Sequence, residues 1–149
     1  NSAVPVLAIP QNYKVRDINN IMYAADLRNY ADEIKRVLDF AKPLKTNVEV
    51  VHFSWPEEIL FDEKTIEASL KKQYKYGLKL HFEKNDGIHS LVENLENQIR
   101  KRKPSIVIMF TNQQRTFFQK LFLSSKTEEM SFRLKVPLLV FNKNGSREL

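Results

Sequence analysis

An unbroken apolar segment at residues 106–110 constrains the fold of this chain more than any other feature. It is rich in β-branched residues, Pro104 lies just before it, and a polar loop at 111–115 follows it. Such a segment predicts a strand buried on both faces, as in a parallel sheet covered by helices. In α/β proteins the loop at the carboxyl end of such a strand is a common binding place for anions and nucleotides.

Apolar segments alternate with amphipathic ones along the rest of the chain. The further predicted strands are 21–25, 48–53, 78–82 and 136–141, and the predicted helices are 31–44, 64–76, one that starts at Asp86 or Gly87, and 127–134. Asn29 is placed to cap the first helix, and Gly77 to end the second in the left-handed conformation. The order β-α-β-α-β-α-β-α-β predicts an α/β fold with a mainly parallel sheet.

The segment after the 106–110 strand resembles the diagnostic segment of the universal stress protein family. Nucleotide-binding members carry Gly-x2-Gly-x9-Gly-(Ser/Thr) after a strand of this type. On this chain the three glycine positions fall on Thr111, Gln114 and Ser124, and the hydroxyl position falls on Ser125. The sequence YAADL at 23–27 is similar to the family's opening segment, whose aspartate lies at the nucleotide site; here it is Asp26.

The resemblance implies a Rossmann-like three-layer sandwich with a five-stranded parallel sheet in the order 3-2-1-4-5. In that order the sheet has a topological switch between its first and fourth strands. Asp26, the loop after Met109 and the turn at Ser124 and Ser125 then meet at one crevice. The residues alone leave a second interpretation of Asp26 open, that of an ordinary carboxylate in a turn at a strand end.

The absent glycines predict a protein that does not need nucleotide. Glycine lets backbone N–H groups approach phosphates and permits positive φ, whereas other residues pay on the order of 1 kcal/mol for that conformation. We therefore expect a stress-response regulatory and interaction module with no cofactor and no catalytic residues. The alternative is an ATP-binding or slowly ATP-hydrolysing universal stress protein, with Asp26 on the nucleoside and the degenerate loop on the phosphates.

A short internal repeat predicts how the chain pairs. VPVLAI at 4–9 is similar to VPLLVF at 136–141, the text typical of the family's last strand. We expect residues 1–17 to be the trailing strand and linker of a preceding domain, and residues 18–149 to be a universal stress protein-like domain. The resemblance implies a homodimer or a tandem-domain pair joined through last strands, with 4–9 as an extra antiparallel edge strand beside 136–141.

Composition narrows the remaining classes of function. The 149 residues include no cysteine, which excludes disulfides and thiolate chemistry and favours a cytoplasmic location, and no apolar run approaches the length of a membrane span. The net charge of +6 is spread over several predicted elements, which argues against a nucleic-acid surface. We expect no metal site, and of the histidines we interpret His52 as a packed strand residue. A protein partner is expected, but its identity is not encoded in any motif.

Overall fold

The structure, a computed structural model, describes residues 4–25, 30–54, 62–84, 91–111 and 134–143. The strands are β1 (Val6–Ala8), β2 (Asn20–Ala25), β3 (Asn47–Ser54), β4 (Leu78–Lys84), β5 (Ile106–Thr111) and β6 (Leu138–Asn142). The helices are α1 (Tyr30–Leu44), α2 (Glu63–Tyr74) and α3 (Leu91–Arg102). The predicted cap Asn29 and the start of the third helix lie outside the described residues. So does the predicted helix at 127–134, apart from Leu134, which is buried.

All six strands form one mixed sheet in the order β1-β6-β5-β2-β3-β4. The neighbours from β2 to β6 are parallel, and β1 pairs antiparallel with β6. Counted from β2, the five parallel strands run 3-2-1-4-5, and β1 adds a sixth strand beyond the last one. The expected antiparallel pairing of 4–9 with 136–141 is confirmed as a short ladder, in which Leu7 lies opposite Leu139.

Helices cover both faces of the sheet because the strands are apolar on both faces. Residues of α1 and α2, such as Ile34, Leu38 and Leu70, pack with Tyr23 and Ile108 on one face. On the other face, Leu95 and Ile99 of α3 pack with strand residues that include Met22 and Val107. These two cores make the fold a three-layer α/β sandwich.

Strand β5 confirms the interpretation of the 106–110 segment. All five residues of that segment are buried, and β5 lies in the interior of the sheet between β6 and β2. A strand with apolar neighbours on both sides and helices on both faces turns neither face to solvent. This is why its sequence shows no alternation.

The predicted helix end at Gly77 is wrong. Helix α2 ends at Tyr74, and Lys75 takes the left-handed conformation with φ 50°, its N–H bonded to Lys71 O at 2.9 Å. The early end lets Tyr76 pack against the core and donate its hydroxyl to Thr46 O. Lysines at 45 and 103, after α1 and α3, have the same conformation, and their positive charges suit the negative ends of helices.

The outer edge of β4 is covered by a side chain of α2. Glu67 Oε2 accepts the backbone N–H of Leu80 at 2.9 Å, and the same side chain pairs with Lys71 one helical turn later. An unpaired edge N–H is a template for another strand, so this contact both satisfies the donor and protects the edge.

Candidate functional site

The topological switch lies between the adjacent parallel strands β2 and β5. Strand β2 leads through α1 to β3 on one side, whereas β5 is followed along the chain by β6 on the other side. Ala24 pairs with Met109, so the two strands end beside each other at Ala25 and Thr111. Ligands of open α/β sheets bind at such a point, outside the carboxyl ends of the strands.

Of the five residues predicted for the nucleotide site, the structure describes only Thr111. Asp26, Gln114, Ser124 and Ser125 lie outside the described residues, although Asp26 directly follows the end of β2. The predicted meeting of these side chains at one crevice therefore stays a prediction.

Thr111 is the last residue of β5 and pairs with Asn142 of β6. It is half-buried and is not among the residues with positive φ. The conformational penalty expected for a non-glycine residue therefore does not arise at this position, which is an ordinary strand end. What the replacement of glycine adds here is a side chain with a hydroxyl and a methyl group at the carboxyl edge of the sheet.

His52 connects the end of β3 to the end of β2. The side chain is buried, and its Nδ1 lies 3.0 Å from Ala25 O, in the peptide unit that joins Ala25 to Asp26. Because a carbonyl oxygen only accepts, the proton must be on Nδ1. The ring also meets Phe82 edge to face with centroids 5.6 Å apart. The interpretation of His52 as a packed strand residue is confirmed, and the structure adds a role in positioning the backbone before Asp26.

A polar cluster of Tyr23, Glu33 and Arg36 lies under the α1 side of this edge; we call it the Glu33 cluster. The Tyr23 hydroxyl donates to Glu33 Oε2, and Lys143 Nζ lies 4.0 Å from Glu33 Oε1. Glu33 is only 5% exposed, so its charge depends on these partners. Sequence reasoning missed the cluster. The available signal was a carboxylate one helical turn before Val37, on the apolar face of α1.

Arg36 joins the Glu33 cluster to the ends of β5 and β6. Its guanidinium donates to Asn142 O at 3.3 Å and lies 4.4 Å from the centroid of the Phe141 ring, which stacks on Phe110. Burial lowers the pKa of Arg36, and the Glu33 carboxylate opposes that shift. Arg36 therefore fixes α1 against the two strands whose ends carry Thr111 and Asn142.

The described residues offer no catalytic constellation at this edge. They contain no group of three or more His, Cys, Asp or Glu side chains that could hold a metal ion. Away from the edge, on β4, His81 Nε2 lies 3.4 Å from Glu49 Oε2 without the alignment of a hydrogen bond. Burial, followed by the charge of Arg102, lowers the pKa of His81. This pair belongs to an ion-pair group with Glu83 on the α3 face, not to the switch point.

No family model matches the sequence, and no curated protein matches it. Solved structures do match the fold. A universal stress protein from Archaeoglobus fulgidus DSM 4304 superposes with a TM-score of 0.67 at 15% identity, over 95% of this chain and 50% of that chain. A universal stress protein family member from Burkholderia pseudomallei superposes with a TM-score of 0.57 at 12% identity, over 86% of this chain and 98% of that one.

The sheet order, the two helical layers and these superpositions define the class: this chain has the universal stress protein-like α/β fold. It spans half the length of the Archaeoglobus protein and nearly all of the Burkholderia protein. No helix within the described ranges is long and apolar enough to cross a membrane.

Proposed function

We propose that this chain is a universal stress protein-like regulatory and interaction domain that works without nucleotide. The observation that carries the proposal is Thr111, which ends β5 at the switch point and occupies a position where the family resemblance implies glycine. A side chain at this position would occupy space that backbone N–H groups need in order to approach a phosphate. The residues at the other two glycine positions, Gln114 and Ser124, add further bulk to the same segment.

The alternative is an ATP-binding or slowly ATP-hydrolysing domain. The observation that favours it is the switch point itself, where β2 and β5 end side by side and Asp26 follows directly. In that case Asp26 would hold the nucleoside, and Thr111, Gln114, Ser124 and Ser125 would surround the phosphates. Hydrolysis would in addition need a group that positions water.

The test restores the glycines. Calorimetric titration with Mg-ATP is performed on the natural chain and on the triple variant Thr111→Gly, Gln114→Gly, Ser124→Gly. We expect no saturable binding at micromolar ATP by the natural chain, and a gain of affinity in the variant. Each 1.4 kcal/mol of binding free energy that the variant gains corresponds to a dissociation constant about tenfold lower.

Micromolar ATP binding by the natural chain would establish the alternative. Ser125→Ala serves as the matched control, because it removes the retained hydroxyl and leaves the glycine positions unchanged. Mass spectrometry of small molecules released by heat from the purified protein tests for any other bound ligand.

We further propose that the domain pairs through last strands, either as a homodimer or with a preceding domain of the same chain. Support comes from the antiparallel ladder of β1 on β6 and from the similarity of VPVLAI to VPLLVF. The superposition on half of a chain about twice as long is consistent with a tandem arrangement. A cytoplasmic location is part of the same proposal, supported by the absence of cysteine.

A further inference from the structure

A groove of about 900 Å³ lies at the amino-terminal edge of the sheet, at the opposite end of the strands from Thr111. Its walls are the linker before β2, the turn from α3 to β5, and the residues that lead into β6. Ile99, Pro104 and Val136 supply apolar surface, and Tyr13 contributes an aromatic ring. The volume falls within the range of small-molecule sites.

Positive charge from three separate segments meets in this groove. The cationic side chains are Lys14, Arg16, Arg100, Lys103 and Lys135, and Asp17 is the single carboxylate. Five positive charges and one negative charge leave +4 at the groove, against +6 for the whole chain. The sequence separates these cations by up to 121 positions, from 14 to 135, so their concentration appears only in the fold.

The neighbouring cations of the same basic run are paired with carboxylates, whereas the groove cations have no such partner among the described residues. Arg102 pairs with Glu83 at 2.6 Å and with Glu49 at 3.3 Å, and Lys101 also pairs with Glu83. By contrast, within the part of the chain that the structure describes, no groove cation has a carboxylate within ion-pair distance. Among the described residues, Arg100 donates to the neutral amide oxygen of Asn97, at 2.7 Å.

Compensation of the α3 dipole does not explain this concentration. The carboxyl end of a helix carries the equivalent of about half a negative charge, which one lysine or arginine in the last turn offsets. Arg100 and Lys103 already flank that end, and Lys14, Arg16 and Lys135 come from other segments. Gathering further like charges around one groove opposes folding unless an anion neutralises them.

We propose that this groove binds a small ligand that carries several phosphate groups. Arginine and lysine donors suit phosphate oxygens, and a net charge of +4 complements an oligophosphate. A nucleic-acid strand would need a positive path that continues beyond the groove. The adjoining Lys101 and Arg102 are instead paired with glutamates, so within the described part of this basic run the unpaired charge lies in the groove. This inference does not depend on the proposed function.

The test is calorimetric titration with inorganic tripolyphosphate at about 50 mM salt. We expect saturable binding at one site, weakened about fivefold to tenfold by Lys103→Gln or Arg16→Gln and further by the double variant. Lys72→Gln is the matched control, since Lys72 is an exposed lysine of α2 away from the groove, and it should leave the affinity within about twofold. Circular dichroism and the Tm of each variant check that the fold is retained.

Three outcomes overturn the proposal. The first is no saturable binding. The second is an equal loss from Lys72→Gln, which indicates unspecific charge attraction. The third is binding that Ser125→Ala weakens and the groove variants leave unchanged, which assigns the anion to the predicted nucleotide site instead of the groove. A 20-nucleotide single strand is titrated in parallel. If it binds more tightly than tripolyphosphate, with an affinity that grows with strand length and falls with Tyr13→Ala, the ligand is a nucleic acid and not a small molecule.

Discussion

Leu7 of β1 lies opposite Leu139 of β6 in an antiparallel ladder, and this pairing covers the outer side of β6. Leu139 is buried, whereas Leu7 remains 51% exposed. β1 therefore covers the edge of β6, but its own Leu7 is exposed, as are Val4 and Ile9 on either side of it along the chain. A strand with this character suits a contact with a further domain or a second copy.

Deletion of residues 1–10 should leave β6 as an open edge strand. We expect the shortened chain to self-associate or lose solubility, measured by sedimentation, because the unpaired backbone groups of β6 become a template for another chain. A synthetic peptide of residues 1–10 added in trans should reverse the effect. In the natural chain, amide exchange across 6–8 should be slow; a soluble, monomeric deletion variant would show that β1 is dispensable.

The Glu33 cluster should contribute measurably to stability. Tyr23→Phe removes the donor to a buried carboxylate, so we expect it to lower the free energy of unfolding by about 1–3 kcal/mol in urea denaturation. A double-mutant cycle with Glu33→Gln should show a coupling of about 0.5 kcal/mol or more. Tyr13→Phe is the control, with an expected change within about 0.5 kcal/mol. Additive effects at Tyr23 and Glu33 would show that their contact contributes nothing.

Glu67 should make stability depend on pH in the acid range. The backbone N–H of Leu80, followed by Lys71, lowers the pKa of Glu67. A depressed folded-state pKa gives stability above the unfolded value of about 4.3, and that stability is lost as the pH falls through the folded pKa. We expect Glu67→Gln to cost about 1 kcal/mol at pH 7 and to flatten the loss of stability below pH 5. An unchanged profile would contradict the role of Glu67 at the β4 edge.

His81 should act in a separate pH window. Its pKa is lowered, chiefly by burial and then by Arg102, so the unfolded chain takes up the proton more readily than the folded one. Stability should therefore fall as the pH drops from about 7.5 through the unfolded value of about 6.5 and on to the folded pKa. Urea denaturation at several pH values gives the free energy of unfolding as a function of pH. In this window its slope against pH should be shallower for His81→Asn than for the natural chain. An equal slope in both proteins would exclude His81 as the source.

Several parts of this fold could be predicted from the sequence because they depend on neighbours along the chain. The alternation of apolar and amphipathic segments predicted strands β2 to β6 and the described helices, and the repeat of VPVLAI at 136–141 predicted β1. The apolar run at 106–110 predicted a strand inside the sheet. Helix ends were less predictable. Gly77 has the right residue type, yet α2 ends at Tyr74, which leaves Tyr76 free to reach Thr46, a contact 30 positions away along the chain.

The sequence by itself also determined that Thr111, Gln114 and Ser124 occupy the positions where the family resemblance implies glycine. The identity of the residue at a position is known without any knowledge of the fold. Only the tertiary structure decided that Glu33 and Arg36 fix α1 at the switch point, that His52 holds the backbone before Asp26, and that cations dispersed along the chain line one groove. Contacts and electrostatic fields depend on distance in space, and a parallel sheet brings together segments that the sequence places far apart.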